Sequence, residues 1–503
     1  MSCSGLTIRR AAPADWERIM AVMVEWWGGR DLRAMLPRVF FEHFRSTSLV
    51  AESGDELAGF LVGFVCLDHP GEAYVHFAGV HPAWRRAGLG ADLYGRFFAL
   101  AESHGCTVVR AVTAPVNKGS VAFHRRLGFR LLPGDDEVDG LPVSVDPGPY
   151  GEHLVHFERR LPDAEALELL EHGELLAVGA AADDVRRRLH PGGEVTFIVD
   201  RNINYTDYCV SGCRFCAFYK TPGSGEGYLL GTADIHRKIE ETFALGGTAI
   251  MMQGGLSPDL DIEWFEEVFA GIKARFPQIH LHCLSPPEVA HIARQSDLTV
   301  EETLRRLRAA GLDSLPGGGA EVLVDRVRRA ISPHKIPTDT WLDVMRVAHG
   351  LGMRTTATMM FGSLDTPAER VEHLRRIRDL QDETGGFTAF IPWTFQAGNT
   401  ALKEGHVPAT GVDYLRLLAV SRLYLDNVPS VQASWVTQGL RVGQVGLAFG
   451  ANDMGSTMIE ENVVKAAGVS HTITVDEMVR LIRAAGFTPV QRDTLYREVR
   501  RFD

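Results

Sequence analysis

The sequence predicts an α/β protein in two parts: a small mixed α/β domain over residues 1–161 and a (β/α)8 barrel over residues 162–503. Three observations predict it. The rhythm of the chain changes near residue 161. Beyond that point short apolar runs alternate with amphipathic helical stretches, as a parallel barrel requires. Polar or Gly-rich clusters follow the runs one after another, at the edge where such a barrel carries its functional groups.

The bulk numbers narrow the function classes. The chain has 503 residues, 45% hydrophobic and 23% charged, an ordinary globular balance. No run of about 18 apolar residues is present, so no membrane partner is expected. The opening MSCSGLTIRRAAPADW lacks the apolar core of a signal peptide, and the expected location is the cytoplasm. A net charge of −12 without a basic run argues against nucleic acid. Seven cysteines, an odd number in a reducing compartment, point to ligands and buried thiols rather than disulfides.

The first domain is justified by two elements in order. VHPAWRRAGLG (80–90) runs into the amphipathic ADLYGRFFALAESHG, so Arg85, Gly88 and Gly90 fit R-x-x-G-x-G at a strand-to-helix junction. Glycines there let backbone N–H groups approach a pyrophosphate, and the helix N-terminus favours its charge. PVNKGSVAFHRRLGF (115–129) follows downstream. With LTIRRAAPADWERI these segments resemble the GNAT acetyltransferases over roughly residues 5–161. The resemblance implies an acetyl-CoA site at Arg85, Arg86, Gly88, Leu89 and Gly90, with Asn117 nearby. Many members carry a Tyr as general acid for the departing thiolate; His124 stands there in this chain, and an imidazolium is the expected replacement. His76 and Glu25 are candidate bases. A degenerate domain kept for packing or recruitment is the alternative, and the acceptor is not legible. LPGDDEVDGLPVSVDPGPYGEH (131–153) reads as an irregular surface loop, and LVHFERRL as a final strand.

In the second domain the strand candidates are 195–200, 248–253, 279–285, 312–317, 355–362, 387–393, 431–435 and 446–451. Helices separate many of them. DIEWFEEVFAGIKARF carries Ile262, Phe265, Phe269 and Ile272 on one face, and TVEETLRRLRAAG has Thr299 and Glu302 at capping-box spacing with Gly311 as its stop. The clusters after the strands are QGG (253–255), SPPE (285–288), PGGGAE (316–321), GSLDT (362–366), PWTFQ (392–396), SWVTQ (434–438) and NDMGST (452–457).

RNINYTDYCVSGCRFCAFYK (201–220) follows the first of these strands and holds Cys209, Cys213 and Cys216 in C-x3-C-x2-C spacing. Three thiolates are one short of a closed tetrahedral zinc site, which Cys283 or a histidine would have to complete. A [4Fe–4S] cluster on three thiolates leaves one iron open. The spacing, with Phe215 before the last cysteine, resembles the radical S-adenosylmethionine signature. That resemblance implies S-adenosylmethionine on the open iron and a backbone contact to its amino group from Gln253, Gly254 and Gly255. The family often has Glu after the glycines; Leu256 here leaves only the backbone role.

The likeness is closer still across residues 162–500. GGTAIMMQGGLSPDL, HCLSPPEV, AGLDSLPGGGAEVLVDRVR, DETGGFTAFIPWTFQAGNT, QASWVTQG and FGANDMGSTMIEENVV resemble the cyclic dehypoxanthinyl futalosine synthases of menaquinone biosynthesis. The resemblance implies dehypoxanthine futalosine as small-molecule substrate and a one-electron donor such as flavodoxin or ferredoxin. It also implies hydrogen abstraction from the ribose C4′, closure onto the benzoate ring, and loss of an electron and a proton. Glu288 and Glu321 are the candidates for ribose or proton work, Glu321 also on the cofactor side. Trp393 and Trp435 are candidate walls, and Asn452, Asp453, Ser456 and Thr457 candidate carboxylate binders. His282 alternates inward, as a core histidine or a catalytic one. Arg326, Arg328 and Arg329 read as solvated helix charge. Sister chemistries, aminofutalosine synthesis or deazaflavin assembly, stay open. So does a principal acetyl transfer with a structural metal domain.

Overall fold

A computed structural model describes residues 6–69, 71–145 and 153–502. The chain divides into two units, Met1–Pro162 and Asp163–Asp503.

The first unit is one sheet with helices on both faces. Its strands are β1 (Thr7–Arg10), β2 (Leu49–Ser53), β3 (Glu56–Val65), β4 (Glu72–Val80), β5 (Val108–Thr113), β6 (Arg130–Leu131), β7 (Asp136–Val138), β8 (Leu141–Val145) and β9 (His153–Arg160). They lie in the order β1-β2-β3-β4-β5-β9-β8-β7, with β6 on β9. One pair, β4 with β5, is parallel, and only Glu72–Val75 of β4 pairs with it; β4 then runs on to Val80 without pairing to β5. Helix Leu89–Ser103 buries Leu89, Leu93, Phe97 and Ala101 against the sheet. The segment expected as an irregular loop is in part a hairpin, β7 with β8. Asp139 and Gly140 turn it with φ of 52° and 74°, the conformation that Asp-Gly favours in a tight hairpin turn. Residues 146–152 of that stretch lie outside the described residues.

In the second unit two helices, Asp163–His172 and Leu175–Leu189, precede β10 (Glu194–Ile198) and β11 (Asp200–Ile203). Then follow β12 (Ala249–Met252), β13 (His280–Cys283), β14 (Ser314–Leu315), β15 (Arg354–Phe361), β16 (Phe387–Thr394), β17 (Ser430–Val431), β18 (Asp453–Ser456), β19 (Thr488–Arg492) and β20 (Glu498–Arg501). β11 to β17 form a parallel sheet in sequence order. Ala433 N–H donates to Asp453 O at 2.8 Å and Asn452 N–H to Val431 O at 3.1 Å, tying β17 to β18. β18 pairs in turn with β10, which leads straight into β11. The ring of the (β/α)8 barrel is therefore complete, and β19 and β20 extend it beside β10.

Alternation decides which side chains line the barrel. Ile250, Met252, Leu281, Cys283 and Leu315 join Ile235, Ile239, Phe265 and Phe269 in the layer between strands and helices. Asn202, Met251, Gln253, His282 and Ser314 take the opposite side. Asp261 caps helix Ile262–Arg275, and Thr299 caps Val300–Ala310, which stops at Gly311 with φ of 121°.

The eighth strand departs from expectation. Leu447–Phe449, inside the apolar run expected to be extended, is a 3-10 turn. The strand is Asp453–Ser456, in the polar stretch expected to follow it. A strand whose buried polar groups all find partners inside the protein carries no apolar signature.

Candidate active site

Past Ile203 the chain leaves the barrel and forms the segment that carries Cys209, Cys213 and Cys216. Bridges between Thr206 and Leu229 and between Tyr208 and Lys220 close this segment on itself. Val210 N–H donates to Leu256 O at 2.9 Å, and Arg214 N–H to Ile331 O at 2.8 Å. Gly255 permits the approach, because a Cβ there would lie 2.1 Å from Tyr208 O and 3.0 Å from the Cys209 Cβ.

The donor set fits a three-thiolate cluster. Ser211 N–H lies 3.4 Å from the Cys209 sulfur, and the Ser211 hydroxyl 3.1 Å from the Cys213 sulfur. Burial pushes the Cys213 and Cys216 thiols up; Lys335 opposes this at Cys213, and backbone hydrogen bonds from Phe218 and Tyr219 oppose it at Cys216. Sulfurs so placed suit a charge shared with metal and N–H donors. Among the described residues no three His, Cys, Asp or Glu side chains converge as ligands of a single ion do. A cluster asks no such convergence, since each thiolate binds its own iron. Cys283 is fully buried and directs its thiol to Ile250 O at 3.7 Å, in the strand–helix layer rather than toward the cysteine segment.

Glu288 ties the next two strand ends together. One of its oxygens accepts from Tyr205 OH and Gly254 N–H, both at 2.9 Å. The other accepts from Ser285 N–H at 2.7 Å and Ser285 OH at 2.6 Å, which closes a capping box on helix Pro286–Gln295. Burial raises its pKa and these donors pull it back down. Four donors on two oxygens make Glu288 a residue that positions Gly254, rather than a carboxylate free for ribose or proton work. Gly254 must be glycine, because a Cβ would meet the Tyr205 ring at 2.7 Å.

Glu321 sits at a left-handed backbone position, φ 43°, and is buried. Lys335 Nζ lies 2.8 Å from one oxygen and Arg328 3.4 Å from the other. Lys335 also stands 5.1 Å above the Phe215 ring, beside the last cysteine. Burial would lower the Lys335 pKa, but Glu321 and Cys213 outweigh it and the ammonium is held charged. Of the three arginines expected on a solvated face, Arg326 and Arg329 are exposed, while Arg328 is buried on Ala320 O at 2.6 Å and Ile336 O at 2.6 Å. Lys335 carried no signal in the sequence, since a lone Lys after SPH has no pattern of its own, and Arg328 was expected in solvent.

Three of the four polar residues at the eighth strand are spent on partners inside the protein, whereas Thr457 is buried with its hydroxyl unpartnered among the described residues. Asn452 is used up by Arg422 at 2.5 Å, Val431 N–H at 2.9 Å and Ser430 at 3.2 Å. Asp453 holds Arg492 and accepts from Thr196, and Ser456 donates to Asp200. Trp435 is buried with its indole N–H on Ser456 O at 3.0 Å, whereas Trp393 is half-buried on β16.

In the first unit, Gly88 caps helix Leu89–Ser103 with φ of 95°, beside the exposed Arg86 at φ 63°. Arg85 is exposed, and its guanidinium donates to Trp26 O at 2.6 Å and Val80 O at 3.1 Å. Leu89 is buried, so only its backbone is available, and a Cβ on Gly90 would meet Phe123 at 3.2 Å. Asn117 caps helix Lys118–Arg126 through Ser120 N–H at 3.3 Å. The free helix start beside the parted β4 and β5 suits a diphosphate with an extended arm. His124 corrects the expectation of an imidazolium. It is buried, stacked on Phe157 at 4.5 Å, with Nε2 on Tyr94 OH and Nδ1 on Ser120 O, both at 2.9 Å. Burial lowers its pKa and keeps it neutral. His76 is committed to Met35 O at 2.7 Å, and Glu25 is exposed.

Residues 203–377 match the radical SAM superfamily, 384–502 the CofH/MqnC C-terminal region, and 16–129 the acetyltransferase (GNAT) family. A cyclic dehypoxanthine futalosine synthase of Streptomyces coelicolor is 52% identical over 340 residues, 67% of this chain and 85% of the relative. A 5-amino-6-(D-ribitylamino)uracil–L-tyrosine 4-hydroxyphenyl transferase of Methanococcoides burtonii is 43% identical, over 67% of this chain and 95% of its own length. Among solved structures, methylornithine synthase superposes with a TM-score of 0.52 at 20% identity, covering 65% of this chain and 94% of that one, a likeness of fold.

Proposed function

The chain belongs to the radical S-adenosylmethionine family that includes the cyclic dehypoxanthine futalosine synthases, and on that premise we propose that it cyclises dehypoxanthine futalosine. The observation that carries the reading is the cysteine segment held at the barrel mouth, in a chain 52% identical to a synthase of that name. Cys209, Cys213 and Cys216 would hold a [4Fe–4S] cluster. With S-adenosylmethionine bound there, the group supplies a 5′-deoxyadenosyl radical able to take hydrogen from C4′ of the substrate ribose. The residues of the chain do the rest. Glu288 fixes the Gln253–Gly255 backbone, which would meet the methionyl amine. Glu321, held by Lys335 and Arg328, presents a charged cradle for the polar end of the cofactor. Gly254 lets the loop pack on the Tyr205 ring, and Gly255 lets it close on the cysteine segment. Trp393 would flank the benzoate ring. A one-electron donor of the flavodoxin or ferredoxin class is the partner this chemistry requires.

The first unit we assign to acetyl-CoA, bound by the backbone at Gly88, Leu89 and Gly90 with Arg86 at the rim. With His124 buried and neutral, any transfer there would need another acid.

The deciding experiment is anaerobic incubation of the reconstituted protein with S-adenosylmethionine, dithionite and dehypoxanthine futalosine deuterated at C4′. Deuterium in 5′-deoxyadenosine, with one equivalent per cyclised product, is expected. Unlabelled 5′-deoxyadenosine formed in step with product overturns the C4′ assignment. Turnover of tyrosine with the ribitylaminouracil instead would move the chain to the methanogen reading.

A further inference from the structure

We propose that His282, Ser314 and His280 form a proton relay from the floor of the barrel mouth to its opposite end, with His282 accepting the proton released when the benzoate ring regains aromaticity. The proposal rests on the cyclisation reading above. His282 lies on the lumen side of β13, one residue below the strand's last residue, Cys283. Its Nδ1 is 2.6 Å from the Ser314 hydroxyl, and the same hydroxyl is 2.7 Å from His280 Nε2. The hydroxyl can donate to one ring only, so the other ring must donate to it. If His282 Nδ1–H donates to Ser314, and Ser314 donates to His280, then His282 Nε2 carries a lone pair. No partner for Nε2 occurs among the described residues, and His282 keeps 8% exposure.

The surroundings support a ligand here. Asn202 stands in the same layer through the register Asn202↔Met251↔His282. It is 6% exposed, and its Oδ1 has no partner among the described residues. Burial, with His280 and Arg492 adding to it, holds His282 neutral with a pKa of about 3. Such a weak base suffices, because a ring carbon that has gained a bond and lost an electron is strongly acidic. At the far end, burial lowers the pKa of half-buried His280, the carboxylates of Asp313 and Asp493 pull it part of the way back up, and Lys273 and Arg497 lower it further.

The step balances as follows. The C4′–ring bond forms, the ring C–H bond breaks, the proton goes to His282 Nε2, and the electron leaves to a one-electron acceptor. The Nδ1 proton of His282 then passes to Ser314, whose own proton passes to His280. His282 would touch the reacting ring; Ser314 and His280 act through it.

The test compares full-length, cluster-loaded wild type with His282→Gln, Ser314→Ala and Ser314→Thr, each given C4′-deuterated substrate. In His282→Gln, labelled 5′-deoxyadenosine should form within about threefold of wild type while cyclised product falls about 100-fold. Ser314→Ala should complete a first turnover and then slow by about tenfold, and Ser314→Thr, which keeps the hydroxyl, should restore it. Product and labelled 5′-deoxyadenosine falling together in His282→Gln overturns the proposal. Should that variant lose its fold or cluster, the serine pair decides: equal steady-state rates for alanine and threonine also overturn it. No cyclised product from wild type would instead sink the cyclisation reading itself.

Discussion

At the residue scale the chain separates cysteines that do chemistry from cysteines that pack. Cys209, Cys213 and Cys216 sit in a segment pinned by its neighbours, while Cys283 fills the strand–helix layer. Each of Cys209→Ser, Cys213→Ser and Cys216→Ser should abolish the brown absorbance of the reconstituted protein and its cyclisation. Cys283→Ser should keep both, losing only about 1–2 kcal/mol of stability through a polar atom in the core. A Cys283→Ser protein that folds but takes up no cluster would call for a four-cysteine site. A second residue-scale prediction concerns His124. Its folded pKa lies below the ordinary value of about 6.5, so the unfolded chain binds the proton more readily. The stability it contributes is whole above about pH 6.5 and drains away as pH falls below that value toward the folded pKa. His76 titrates in the same sense. Thermal melts of residues 1–162 should therefore fall in Tm from about pH 7 to 5, and His124→Gln should flatten the slope. An identical slope in that variant would place the effect elsewhere.

At the element scale the site depends on close backbone approach. A methyl group at Gly255 would have to push away Tyr208 O, a backbone atom of the segment that leads into Cys209. Gly255→Ala should cost about 1–3 kcal/mol and reduce cluster occupancy, measured by Tm and by iron and sulfide content. Gly271, on the outer helix with open space around its Cβ position, serves as the control: Gly271→Ala should leave occupancy intact. Full occupancy in Gly255→Ala would show that the two loops move independently. β18 teaches a related lesson: a short strand of Asp, Met, Gly and Ser survives because Arg492, Thr196 and Asp200 satisfy its polar groups.

At the scale of the whole molecule, each unit has its own apolar core, with Phe97 and Phe157 in the first and Phe265 and Phe269 in the second. Residues 162–503 alone should therefore load a cluster and cyclise substrate at a rate within about threefold of the full chain. A soluble, cluster-loaded fragment without activity would implicate the first unit in the radical site. The division into two units, the alternation of strand and helix, the cysteine spacing and the glycine loops were all legible in the chain itself. Each is written in local spacing, period or turn chemistry. The hairpin at Asp139–Gly140 was legible too, in its Asp-Gly pair, but the acidic composition around it masked the signal. Other features were decided by tertiary structure alone. They include the saturation of Glu288, the burial of Arg328, the neutrality of His124, the reach of Lys335 to Glu321 and the place of the eighth strand. Each of these depends on which donors, acceptors and rings the fold brings from distant parts of the chain, and sequence spacing does not encode that proximity.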